Sequence, residues 1–167
     1  KLRERLLADK QILTWTGPVT PTRSGLDPKK FPGIVLDDTQ AELTGDWSHS
    51  SSIAGFVGTD YLHDHNEGKG DKLARFKFTI RAAGRYHVRV SFTPNPNRAT
   101  NVPVTIRHAE GTTRRVVNQR LKPDAPDGFM RLGTYHFAPD AEAFVEISNA
   151  DTDGHVIVDA VQLVPVD

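Results

Sequence analysis

Between Trp47 and Asn66 the chain carries Trp47, His49, Phe56, Tyr61, His63, Asp64, His65 and Asn66 within twenty positions. Aromatic faces beside imidazoles, a carboxylate and an amide are the mixed chemistry that a sugar ring needs. The ring offers one apolar face and a rim of hydroxyls. A second polar run, TPNPNRATN, adds Asn95, Arg98 and Asn101. An Arg between two Asn residues offers paired hydrogen bonds to vicinal hydroxyls or to a carboxylate, which tilts the reading toward an acidic sugar. Each group also has a plainer role. Trp47 and Tyr61 are large enough to plug a core, and Asn95 and Asn101 are residues that cap loops.

The same residues bear on metal binding. His63 and His65 flank Asp64, so two imidazoles and a carboxylate would hold zinc if a third firm ligand arrived from elsewhere; a solvated polar loop is the simpler account. Asn149, Asp151, Asp153 and Gly154 imitate the opening of a calcium loop, but Ala160 stands where a bidentate Glu belongs, and an Asp-Gly hairpin turn explains the run. Asp159 interrupts the apolar stretch from His155 to Val164, and a buried carboxylate must be hydrogen-bonded, paired or metal-bound.

For enzyme chemistry the sequence gives little. It holds no G-x-S-x-G, P-loop, G-x-G-x-x-G or H-E-x-x-H motif. Zero cysteines remove a thiolate nucleophile and a disulfide framework. The 21 basic and 21 acidic side chains cancel, so no bulk field draws nucleic acid or a membrane surface. No stretch reaches the roughly 18 apolar residues of a membrane span.

The elements that must position these groups are strands. Tyr86, Val88, Val90 and Phe92 alternate with polar neighbours, as do Ala74, Phe76, Phe78 and Ile80, and Val102, Val104 and Ile106. The turn Ala82-Ala83-Gly84 predicts that the first two of these runs form a hairpin. Further strands are predicted at Ile34–Leu36, Thr113–Gln119, Arg131–Phe137, Phe144–Ser148 and His155–Val164, divided by Gly and Pro. The fold class is all-β: an antiparallel β-sandwich of the jelly-roll kind. Its predicted core includes Phe76, Phe78, Tyr86, Val88, Val90, Val104, Val145 and Val161. Residues 1–33 read differently, as a short amphipathic helix at Lys1–Lys10 followed by a Pro-rich connector, with the domain proper at 34–167. Opening on Lys1 rather than Met, the chain reads as a piece of something longer.

Several strings carry a resemblance: PGIVLDDTQAELTGDWSHS, FVGTDYLHD, GRYHVRVSFTPNPNRATNVPVTI, VNQR, LGTYHF and VIVDAVQLVPV. In this order they resemble the golvesin/xanthan-lyase carbohydrate-binding-like domain. The resemblance implies a galactose-binding-like sandwich at the C-terminus of bacterial polysaccharide-active enzymes or FAD-dependent oxidoreductases. Any FAD would then sit in an upstream domain, and the protein would be secreted or periplasmic. It also implies a structural calcium joining the first strand to the last, which makes Asp37 or Asp38 with Asp159 the candidate ligands. The expected function is a noncatalytic module that binds polysaccharide or oligosaccharide through its rim loops. The alternative is a structural domain that docks on its parent enzyme and holds no sugar.

Overall fold

The computed structural model describes residues 25–123 and 125–166. The helix expected at Lys1–Lys10 lies outside the described residues. Twelve strands follow in chain order. They are β1 (Ile34–Asp37), β2 (Glu42–Thr44), β3 (Ser48–Ser50), β4 (Tyr61–His63), β5 (Leu73–Lys77) and β6 (Gly84–Ser91). After these come β7 (Val102–His108), β8 (Gly111–Val117), β9 (Phe129–Phe137), β10 (Phe144–Ser148), β11 (Ile157–Val158) and β12 (Ala160–Pro165). One sheet runs β1-β12-β6-β9, a second β2-β5-β10-β7-β8, and a small third β11-β4-β3. Pairing within the sheets is antiparallel throughout.

The two larger sheets close face to face over one core. Val88, Val90, Val161 and Leu163 from the first meet Phe76, Val104, Ile106, Val145 and Ile147 from the second in a single buried cluster. All eight core residues read from the alternation are buried there. Burying each of these side chains contributes about 1.5–3 kcal/mol, so this cluster is the main force holding the sandwich shut.

The predicted hairpin does not form. β5 pairs with β2 and β10, whereas β6 pairs with β12 and β9, so the two best-alternating strands lie in opposite sheets. The chain leaves the ladder after Lys77 while Phe78 and Ile80 stay buried, and it crosses between the sheets there. Alternation reports which face is dry and says nothing about which strand lies alongside. The Asp153-Gly154 hairpin also fails, because β10 belongs to the five-stranded sheet and β11 to the three-stranded one.

Asp159 divides the expected last strand in two. Before it, β11 pairs with β4; after it, β12 pairs with β1 and β6. The carboxylate sits where the chain changes sheets. Residues 25–33, assigned to a connector, are packed on the sandwich: Leu26 N–H donates to Phe56 O at 2.8 Å, and Gln162 Nε2 donates to Pro32 O at 2.8 Å.

Candidate functional site

Three loops converge at one rim, and backbone hydrogen bonds fasten them. Ala99 N–H donates to His155 O at 2.8 Å, His155 N–H to Asn97 O at 3.0 Å, and Asp64 N–H to Val156 O at 3.2 Å. The stretches 47–66 and 95–101 are therefore neighbours, as the sequence predicts, although no hairpin brings them together. The segment 149–156 is the bridge between them.

Within this rim many of the candidate side chains are structural. Tyr61 is 2% exposed and Arg98 5%. The guanidinium donates from Nε to Thr93 O (2.9 Å), from Nη1 to Asn97 Oδ1 (2.8 Å) and from Nη2 to Thr93 Oγ1 (3.0 Å). Those bonds fold the loop around the Arg. Asp64 is wholly buried and accepts from Lys69 Nζ (2.9 Å), Val156 N–H (2.9 Å), Asn66 N–H (2.9 Å) and Asn149 Nδ2 (3.1 Å). Burial pushes its pKa up, but these donors outweigh burial and hold the carboxyl below its ordinary range. Asn101 ties the loops, donating to Asp151 O at 2.9 Å and accepting from Asp153 N–H at 3.0 Å. Asn95 Oδ1 accepts from Asn97 N–H at 3.3 Å, the local loop cap that Asn favours.

The remaining candidates are half-buried or exposed. Trp47 is half-buried against the core, and its indole N–H donates to Thr44 O (3.1 Å) and Leu73 O (3.2 Å). The His49 side chain is 62% exposed, with Nδ1 2.9 Å from Asp60 Oδ2. Asn66 is exposed, and its φ of 57° is a left-handed turn that Asn tolerates. His63 stacks edge-on with His65, ring centroids 4.5 Å apart, and lies 6.3 Å from His155. Burial and the two neighbouring imidazoles lower the His63 pKa. Because the Asp64 oxygens are taken by Lys69, Asn149 and backbone N–H groups, the His-Asp-His string does not assemble a zinc centre.

A second constellation lies where β1, the loop before β4 and the break before β12 meet. Asp37, Asp38 and Asp159 are buried, and each offers an oxygen within 4.8 Å of the others. Among the described residues this is the group of three metal-ligating side chains with that spacing. Asp159 is 0% exposed; both its oxygens accept from Val57 N–H, at 3.0 and 3.2 Å, and Oδ2 accepts from Ser91 Oγ at 3.0 Å. The other carboxylates are less fully served. Asp37 Oδ1, both Asp38 oxygens and Asp60 Oδ1 are buried with no hydrogen-bond partner. Burial first, and then the neighbouring carboxylates, push Asp38 up to about 9; burial, reinforced by Asp60, takes Asp37 to about 6 despite an opposing backbone hydrogen bond, and burial raises Asp159 well above the ordinary range. Two like charges at that spacing repel by about 3–4 kcal/mol at an effective dielectric of 20.

Such a cluster either holds protons or holds a cation. Its donors are all hard oxygens, which suits calcium rather than a soft metal. Gly58, with φ of +77°, lets the chain pass so close that any Cβ there would collide with the Asp37 carboxylate. Asp60 escaped the sequence reading because no periodicity marks it; a carboxylate in a loop looks solvated until the loop is folded over it.

Comparison with known proteins places this architecture. Residues 34–165 match the model of the golvesin C-terminal domain family. The chain belongs to that family. It is 34% identical over 157 residues to the xanthan lyase of Bacillus sp. (strain GL1), covering 90% of this chain and 16% of that protein. A Paenibacillus xanthan lyase structure superposes with a TM-score of 0.74 at 34% identity, over 80% of this chain and 13% of that one. A Podospora anserina β-(1,4)-mannanase shares the fold, with a TM-score of 0.58 at 15% identity, over 80% of this chain and 28% of that one. The golvesin-type domain thus spans less than a fifth of the xanthan lyases it matches.

Proposed function

We propose that this golvesin-type domain is a noncatalytic carbohydrate-binding module of a larger, secreted or periplasmic polysaccharide-acting enzyme from a bacterium, and that it holds sugar at the rim. The observation that carries this reading is the convergence of three loops on a surface where the His63, His65 and His155 rings gather, with exposed Asn66 beside them and His155 N–H bonded to Asn97 O. The similarity to portions of xanthan lyases supports attachment to an enzyme that acts on polysaccharide. Few exposed contacts replace water for a hydroxyl-rich ligand, so affinity is weak, on the order of micromolar to millimolar. A glycan array probed with the 167-residue chain, followed by titration of His63→Ala and Asn66→Ala, tests it. Loss of binding in both variants with unchanged melting temperature supports the rim; wild type binding no glycan at millimolar concentration overturns the reading.

The same reading assigns a structural calcium to Asp37, Asp38 and Asp159, with Asp60 completing the shell. The unpartnered oxygens of Asp37, Asp38 and Asp60 support it, since an ion there would neutralise charges that otherwise repel. It would tie β1 to the approach of β12, and through Asp60, 2.9 Å from His49 Nδ1, it would also reach β3.

A second reading, docking on the parent enzyme without sugar, is favoured by one observation. An apolar groove of about 470 Å³, lined by Leu26, Ala54, Phe92, Pro94 and Pro126, lies beside the point where residues 1–24 join the domain. Unaltered proteolytic stability of the parent enzyme on removing the domain would count against docking.

A further inference from the structure

The acidic preference suggested by Arg98 loses its basis, because that guanidinium is spent inside the loop. Positive charge gathers instead along β9. Two open depressions of about 600 and 420 Å³ share Met130 and Arg131, so they adjoin at β9 as one grooved stretch of surface, the second reaching the edge strand β8. Arg115 lines the second, Lys122 and His87 line the first, and Arg131 lines both. No carboxylate lines either depression among the described residues, in a chain whose net charge is zero. Neither Arg115, Lys122 nor Arg131 enters an ion pair between described residues, and the nearby Arg89 is held by Asp127 at 2.8 Å.

We propose that this groove binds an acidic polysaccharide, with Arg131 and Lys122 taking uronate carboxylates and the side chains of Met130, Leu121 and Val116 covering the sugar C–H faces. The proposal rests on the carbohydrate-binding reading and places a second site away from the rim. Two features carry it. Leu121 (60% exposed) and Val116 (57%) are large apolar side chains left open beside cations. Such alternation suits a ligand whose charges are spaced by apolar ring faces. A guanidinium pairs bidentately with carboxylate, which gives the site discrimination between a uronate and its ester. His87 agrees: after burial, the nearby Arg131, Arg85 and Arg89 depress its pKa, as a positive local field requires. A single-stranded nucleic acid would call for exposed aromatic stacking platforms, and the groove's Phe129 is buried.

The test is calorimetric titration of the 167-residue chain with oligogalacturonate, its methyl ester, oligo(dT) and polyglutamate, in low and high salt. Oligogalacturonate binding about tenfold or more tighter than the ester, weakening with salt, is expected. Arg131→Gln with Lys122→Gln should erase that difference at an unchanged melting temperature, while Arg131→Lys, which keeps charge but not the fork, should fall between. Equal binding of acid and ester, lost only in Asn66→Ala, overturns the groove and leaves the rim reading standing. Binding of neither, with no array glycan bound, removes both. Polyglutamate or oligo(dT) binding as tightly as oligogalacturonate overturns the assignment to sugar.

Discussion

The guanidinium of Arg98 lies 5.8 Å from the centroid of the Tyr61 ring, so the two loops that form the rim are joined by a buried cation and an aromatic face. The Tyr61 hydroxyl in turn accepts from Ile53 N–H at 3.3 Å and contacts Ser50 and Ser52. Such a pair orders the rim from beneath.

Arg98→Ala therefore acts on stability first. It removes three charge-assisted hydrogen bonds and leaves Thr93 O unpaired in the interior, an expected loss of about 2–4 kcal/mol. Tyr61→Phe, which keeps the ring, should lose about 1 kcal/mol. Chemical denaturation measures both. Full stability in Arg98→Ala together with abolished glycan binding would show that the Arg serves ligand rather than loop.

Calcium should raise the melting temperature of protein prepared with chelator, because a ligand that binds only the folded state stabilises it, by about 2.7 kcal/mol at a hundred times its dissociation constant. The pH dependence has a definite sign. Asp37 (about 6) and Asp38 (about 9) hold protons in the folded state that the unfolded chain releases near 3.8, so metal-free stability falls as pH rises from about 4 toward 9. Calcium displaces those protons, so its shift should be larger at pH 8 than at pH 5. An equal shift at both, or none against EDTA, contradicts the site; Asp38→Asn should stabilise the metal-free form and abolish the response.

Gly58→Ala forces a Cβ into the Asp37 carboxylate at a φ of +77°. Expected is a loss above about 1 kcal/mol from backbone strain alone, accompanied by loss of the calcium shift. Thermal melts with and without calcium check it. A stable variant that still responds to calcium would place the ion elsewhere.

Lys69 Nζ holds Asp64 Oδ2 (2.9 Å), Thr152 Oγ1 (2.9 Å) and Gly154 O (2.7 Å), fastening the loop before β5 to the segment after β10. Lys69→Met leaves a buried carboxylate without its countercharge, at an expected cost of about 3–5 kcal/mol. Asp64's pKa is lowered by folding, so its contribution is complete above the unfolded value of 3.8 and disappears as pH falls through the lower folded value. The acid limb of a stability curve should flatten in Asp64→Asn. An unchanged limb would mean that other carboxylates dominate acid unfolding.

The sandwich was legible in the sequence because a strand with one dry face must alternate: Tyr86, Val88 and Val90 announce their burial wherever their neighbours lie. Partnership was not legible, since the same alternation in Ala74–Ile80 suits a hairpin or opposite sheets equally, and only the packed core chose opposite sheets. Asp159 could be singled out because a carboxylate in an apolar run is costly wherever it sits. Its neighbours could not be read from spacing, because Val57 and Asp60 are about a hundred positions away and reach it only when the loop closes. At the rim, residue type marked out the stretches 47–66 and 95–101, yet type does not reveal which way a long side chain turns. Arg98 and Asp64 were drawn inward by hydrogen-bond partners from three loops, while Arg131 and Lys122, unremarkable in the sequence, were left facing water by the edge that β9 forms. Chemistry was written in the residues; exposure was decided by the fold.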